Sequence, residues 1–136
     1  MKRLFIDTNI VIDILAKREP FYEEATKLFS LADKKKLKLI VYSLIFANTN
    51  YILSKLSDSV TAREILTKFK VLARVADLND KIIELSLNDK SFSDFEDGLQ
   101  YYYALEYETD IIITHNLKDL KSSKIPVMTA QSYLAQ

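Results

Sequence analysis

Four aspartates lie where a chain of alternating strands and helices would end a strand or begin a helix: Asp7, Asp94, Asp97 and Asp119. Asp7 follows the segment 3–6, which is typical of a buried strand. An unpaired carboxylate at the end of such a strand is costly. We therefore expect Asp7 to have a partner, a bound cation or a raised pKa.

Two of these acids share one face of a helix predicted over 93–107. Asp94 and Asp97 are three residues apart, which on a helix separates them by about 60°. Ser93 and Glu96 match a capping box, which gives Glu96 a structural role. Acids in a first turn also complement the helix dipole. This helix alone therefore leaves a structural and a chemical role equally open.

A further set of oxygen donors follows a strand predicted over 110–114. Asn116 and Asp119 there predict either a capped turn or a loop that delivers both side chains to a metal ion. Carboxylate, amide and water oxygens are the ligands that Mg²⁺ and Mn²⁺ prefer. Such ions activate a water and hold a phosphate during in-line displacement. The carboxylates therefore indicate a metal-dependent phosphodiesterase.

Composition excludes several other mechanisms. His115 is the only histidine and cysteine is absent, so histidine-pair cleavage of RNA, a three-histidine zinc site and a thiolate site are excluded. Nineteen basic residues balance nineteen acidic ones, which argues against nucleic-acid binding by bulk charge. No apolar run has the roughly 18 residues of a membrane span, and the N-terminus does not resemble a signal peptide. We expect a soluble, cytoplasmic protein without a membrane partner.

The remaining sequence predicts the elements that position these groups. Its 136 residues favour one domain over 1–136. Short apolar strands are predicted at 3–6, 37–42, 73–78, 110–114 and 125–129. Helices are predicted at about 9–16, 20–36, 44–56, 60–70, 80–88, 93–107 and 130–134, with Asn9 and Ser43 as caps. This alternation favours an α/β fold with a mostly parallel central sheet covered on both faces, whose sites form at the carboxyl ends of strands.

Three segments, in this order and over this length, resemble a PIN domain, most closely the VapC-type toxin ribonucleases of prokaryotic toxin–antitoxin pairs. They are "DTNIVIDIL" (7–15), "SDFEDGLQYYYAL" (93–105) and "IIITHNLKDL" (111–120). Each segment is weak alone, but together they are fairly specific, and the resemblance extends to "IPVMTAQSYL" (125–134). It implies a three-layer α/β/α sandwich, cleavage of RNA with Mg²⁺ or Mn²⁺, a homodimer and inhibition by an antitoxin protein.

The resemblance also implies roles for individual residues. The expected metal ligands are Asp7, Asp94, Asp97 and Asp119, of which the first three are also expected to be catalytic. The expected supporting residues are Thr8, Asn9, Asn48, Thr114 and Asn116. Leu120 replaces an aromatic residue of the family loop. By their position in this loop, rather than by the resemblance, His115 and Lys118 are expected to contact the substrate, although for His115 a loop residue without such a role is equally open.

One departure from the family pattern bears on activity. The family usually has a glutamate in the helix after the second strand, and "SLIFANTNYIL" (43–53) has Asn48 at the matching position. A neutral amide weakens metal binding unless Asp94 compensates. The alternative function is a weakened or inactive module that binds RNA or protein. A phosphatase with Asp7 as nucleophile is disfavoured, because Asn9 stands where a second acid would be expected.

The other polar and aromatic features favour structural roles. The tyrosines at 101–103 and 107 favour packing over base stacking, because consecutive helical residues face different ways. Asp13 lies inside a predicted helix and is expected to be a surface charge. The basic run 34–36 favours a solvated helix end, whereas Lys121 and Lys124 flank the loop at 116–119 and are better placed to hold phosphates.

Overall fold

Five strands form one parallel sheet in the structure, a computed structural model that describes residues 1–136. The strands are β1 (Lys2–Ile6), β2 (Leu37–Tyr42), β3 (Ala73–Ala76), β4 (Ile111–Ile113) and β5 (Val127–Met128). They lie in the order β3-β2-β1-β4-β5, and every neighbouring pair is parallel. The predicted α/β sandwich is confirmed, with a sheet that is parallel throughout.

Seven helices cover the two faces of this sheet. They are α1 (Thr8–Leu15), α2 (Tyr22–Asp33), α3 (Leu44–Leu56), α4 (Ser59–Leu72), α5 (Asp80–Asn88), α6 (Phe95–Glu106) and α7 (Ala130–Leu134), with a short 3-10 turn at Leu117–Leu120. No helix combines the length and the apolar character needed to cross a membrane.

Alternation along the strands divides the interior into two hydrophobic cores. Leu4 and Ile6 of β1 face the core formed with α1–α4 and α7, whereas Phe5 faces the core formed with α5 and α6. This is the two-residue period of a strand, with both faces buried. β1 lies between β2 and β4, with Phe5 in register with both Ile40 and Ile112. The carboxyl ends of the three central strands therefore meet at one edge of the sheet.

The starts of three helices differ from the prediction. Asp7, in an extended conformation, is the N-cap residue of α1, so the prediction of Asn9 as cap is wrong. The N-cap of α6 is Asp94, whose carboxylate accepts a hydrogen bond from the backbone of Glu96, so the capping box from Ser93 is also wrong. α2 begins two residues after Pro20. Each short-range pattern was compatible with more than one start, and packing against the sheet selected another.

Candidate active site

A polar pocket of about 230 Å³ lies at the carboxyl edge of the sheet and has no hydrophobic lining residue. All four aspartates predicted as metal ligands line it, which places residues from three separate parts of the chain together. The lining residues are Asp7, Thr8, Asn9, Asp94, Glu96, Asp97, Gln100, Asn116 and Asp119. The convergence follows from the parallel sheet, because the segments after β1 and β4 leave it at the same edge.

Asp7 has the partner that its burial requires. Its side chain is only 8% exposed, and its Oδ2 accepts a hydrogen bond of 2.7 Å from the hydroxyl of Thr114. Its backbone N–H donates to the carbonyl of Ile113 at 3.0 Å, and its carbonyl accepts from Ile10 at 3.0 Å. The Thr114 hydroxyl also accepts from the backbone N–H of Asn116 at 3.1 Å. One hydroxyl thus connects the first acid to the loop that carries the last one.

The acids of α6 carry the electrostatic signature of crowded like charges. Burial, and after it the charges of Asp94, Asp119, Asp7 and Glu96, together raise the pKa of Asp97 to about 6. Carboxylates that repel one another in this way are stabilised by a cation.

The donor set fits a hard divalent cation. Every lining group offers oxygen, and no basic residue or sulfur lines the pocket. Gln100 is 4% exposed and its Oε1 has no hydrogen-bond partner. Buried oxygens without partners are costly, by about 1–3 kcal/mol each, and favour water or a cation beside them. The acids share the pocket without forming a closed ligand shell, since no three of them have metal-site geometry.

Glu96 and Gln100 line the pocket, although the sequence patterns did not indicate either as a site residue. Glu96 lines it, and its Oε1 accepts a hydrogen bond of 2.7 Å from the hydroxyl of Tyr42, the last residue of β2. Burial and the nearby Glu96 carboxylate raise the pKa of Tyr42, so the phenol stays protonated and donates. The capping-box pattern gave Glu96 a structural role and so hid its place in the pocket. The signal that could have indicated it was helical spacing, because Glu96 and Gln100 are one turn apart on α6 and share a face.

Four predicted site residues do not line the pocket: Asn48, Thr114, His115 and Lys118. Thr114 is connected to it through its hydrogen bond to Asp7. Asn48 is exposed on α3, and Lys118 is exposed on the 3-10 turn. His115 lines a different pocket with Phe21, whose ring centroid lies 3.9 Å from the imidazole.

The side chain of His115 pairs with Asp13 of α1. Asp13 is only 3% exposed, so the prediction of a surface charge is wrong. The helix turns this acid towards the start of the loop after β4, where the histidine meets it. The only histidine of the chain therefore provides a hydrogen-bonding partner for a buried acid.

The fold, the acidic pocket and the family comparison agree on the class of protein. Residues 3–118 match the model of the PIN domain, and the chain belongs to the PIN domain family. Among curated proteins, the chain is similar to Ribonuclease VapC1 of Aquifex aeolicus, with 26% identity over 136 residues, which cover 97% of this chain and 93% of the relative.

Solved structures share the fold at lower sequence identity. DNA-bound VapBC from Salmonella typhimurium superposes with a TM-score of 0.71 at 15% identity, over 96% of this chain and 99% of that chain. A toxin–antitoxin complex from Klebsiella pneumoniae gives 0.69 at 20% identity, over 93% and 97%. The sarcin-ricin-loop-cleaving toxin VapC20 of Mycobacterium tuberculosis gives 0.66 at 11% identity, over 88% and 94%. The resemblance to VapC-type proteins is thereby confirmed.

Proposed function

We propose that this protein is a metal-dependent endoribonuclease, the toxin of a toxin–antitoxin pair, which hydrolyses phosphodiester bonds of RNA. One observation carries the proposal: four aspartates from three chain segments line one pocket, where burial and the charges of the other three raise the pKa of Asp97. The similarity to a VapC ribonuclease supports the same activity.

Asp7, Asp94, Asp97 and Asp119 would hold Mg²⁺ or Mn²⁺ in this proposal. A bound divalent cation supplies an activated water and neutralises charge on the phosphate. Asp7 is oriented by Thr114, so its carboxylate is fixed before any ligand arrives. Asn116 and Asn9 offer amide groups to the same pocket. Asp97 binds a proton in competition with the cation, because its pKa is about 6 without one.

The proposed partners follow from the relatives. Structures similar to this chain include VapBC complexes and a further toxin–antitoxin complex, which supports a cognate antitoxin that would inhibit the ribonuclease. A homodimer completes the proposal. His115 and Lys118 stay predicted substrate contacts, as both lie in the segment between β4 and Asp119 that borders the pocket.

The experiment compares RNA cleavage by the wild-type protein and by D7N, purified identically. We expect cleavage in Mg²⁺ or Mn²⁺, none in EDTA, and none by D7N. D33N is the matched control, since Asp33 is an exposed aspartate at the end of α2, near the amino edge of the sheet. Cleavage that persists in D7N refutes the assignment.

A non-catalytic module is the second candidate, favoured by Asn48, which is neutral and outside the pocket. This candidate predicts binding of RNA or protein without turnover and without a metal requirement. Metal-dependent cleavage by the wild type, absent from D7N, excludes it.

A further inference from the structure

A buried phenol fixes one oxygen of Glu96. Tyr42 is 1% exposed at the end of β2, and its ring packs 5.9 Å from that of Tyr103, centroid to centroid. Its hydroxyl donates to Glu96 Oε1 at 2.7 Å. A ring held in the core has little freedom, so its hydroxyl sets the direction of the carboxylate that it binds.

The second oxygen of Glu96 is free for another partner. Oε1 receives the Tyr42 hydrogen bond, whereas Oε2 receives none, and the side chain lines the acidic pocket. The only other hydrogen bond of this residue in the N-terminal turn is made by its backbone, which donates to Asp94. The carboxylate is therefore held at one end and available at the other.

A neighbouring side chain indicates independently that a positively charged ligand belongs here. Gln100, more than nine-tenths buried, lines the pocket with an Oε1 that no donor reaches. A buried acceptor left without a donor calls for a cation or for the water around one. An anion would meet only carboxylates, amides and a hydroxyl here, since no lysine, arginine or histidine lines the pocket.

We infer that Glu96 binds the divalent cation of this pocket, directly or through its water, and that Tyr42 is the positioning residue that aims it. Glu96 thereby supplies, from α6, the carboxylate that Asn48 on α3 does not supply. The inference rests on the proposed function for its cation. It adds to the expectation that Asp94 compensates, because both acids line the pocket and each has one oxygen engaged, Asp94 in capping α6 and Glu96 with Tyr42.

The alternative is that the phenol–carboxylate hydrogen bond only ties β2 to α6. The same helix provides matched controls, because the Tyr102 hydroxyl donates to Asp89 Oδ2 at 2.6 Å and neither residue lines the pocket. Y102F removes a comparable hydrogen bond, and D89N neutralises a comparable acid. A purely structural role would give Y42F and Y102F similar effects.

The test measures Mn²⁺ affinity of the full chain, from the electron paramagnetic resonance signal of free Mn²⁺. We expect E96Q to weaken binding about tenfold or more, as one ligand charge is lost. Y42F should weaken it about three- to tenfold, the net value of one ordinary hydrogen bond, because the carboxylate itself remains in place. Y102F and D89N should bind as the wild type does. In RNA cleavage, raised Mn²⁺ should restore the rate of Y42F.

Wild-type affinity in E96Q would overturn the inference, and so would equal losses in Y42F and Y102F. Circular dichroism checks folding, and E96Q decides the matter if Y42F is unfolded, because Glu96 is exposed and tolerates the change. A wild type that binds Mn²⁺ but cuts no RNA refutes the proposed function, whereas the affinity of E96Q still decides the role of Glu96.

Discussion

The hydroxyl of Thr114 donates a hydrogen bond of 2.7 Å to Oδ2 of Asp7, although the two residues lie 107 positions apart in the chain. Both residues are buried, and they follow the adjacent strands β4 and β1. This hydrogen bond fixes the most buried acid of the candidate site. The hydroxyl oxygen of Thr114 also accepts a hydrogen bond from the backbone N–H of Asn116. It is therefore the point at which fold stability and site geometry depend on one atom.

T114V removes that atom while keeping the size of the side chain. We expect a loss of about 1.5–3 kcal/mol in the free energy of unfolding, because the hydrogen bond to a buried charge disappears. RNA cleavage should fall about tenfold or more, since Asp7 loses its orientation. Urea unfolding and cleavage rates measure the two effects.

Thr109 is the control for this substitution, because it is also buried, lies just before the start of β4, and has a hydroxyl without a partner. T109V should be neutral or slightly stabilising and should leave cleavage unchanged. Equal effects of the two substitutions would contradict a specific role for the Thr114 hydroxyl.

Asp97 should make stability fall as pH rises in the absence of divalent cations. Its pKa is about 6 in the folded protein and 3.8 in the reference state, so between these values the folded protein holds a proton that the unfolded chain has released. D97N should therefore be more stable than the wild type above pH 6, by about 1–2 kcal/mol after allowance for solvent screening. The two should converge below about pH 4.

Urea unfolding in EDTA at a series of pH values between 4 and 8 measures this difference. D33N should show no such divergence, because Asp33 is exposed and lies outside the pocket. Mg²⁺ should stabilise the wild type at pH 7.5 more than at pH 5, since the cation competes with the proton. A D97N curve parallel to that of the wild type would contradict the raised pKa.

The pairing of His115 with Asp13 predicts an asymmetric effect of substitution. H115A leaves a buried carboxylate without its partner and should cost about 3 kcal/mol of unfolding free energy. The double variant D13N/H115A should be more stable than H115A alone, because the uncompensated charge is gone. If the loss of unfolding free energy in the double variant equals the sum of the losses in D13N and H115A, the two residues do not interact.

Lys118 should act on substrate binding rather than on the chemical step. It is exposed on the 3-10 turn that carries Asp119, and we expect its ammonium group to contact a phosphate of bound RNA. K118A should raise KM about threefold with kcat unchanged, and it should lower the salt dependence of binding by about one charge. K27A, an exposed lysine of α2, is the control. A fall in kcat alone would contradict this role.

Local patterns in the sequence predicted the strands of the sheet and the convergence of the four aspartates. β2 was predicted with its observed bounds, since a continuous apolar run flanked by polar residues has few alternatives. The helices Asp80–Asn88 and Ala130–Leu134 were likewise predicted as observed. Convergence of the aspartates followed from parallel strands, whose carboxyl ends share an edge.

The features that escaped prediction are contacts between distant residues. Tyr42 and Glu96 are 54 positions apart, and Asp13 and His115 are 102 apart. No local period reports that a helical acid will meet a histidine after β4, so Asp13 had the pattern of a surface charge. Glu96 matched a capping box for a helix predicted to begin at Ser93, but α6 begins at Phe95. Tertiary packing decided both cases.

The dependence of Asp7 on β4 also has a consequence during synthesis. During translation, Asp7 emerges from the ribosome long before Ile113 and Thr114, which provide its backbone and side-chain hydrogen bonds. A nascent chain thus carries the first acid without the strand that orients it. The pocket forms only after nearly the whole domain has emerged and β4 has docked beside β1. For the proposed ribonuclease, this order of assembly would leave each growing chain without a complete site while it is still attached to the ribosome and the message.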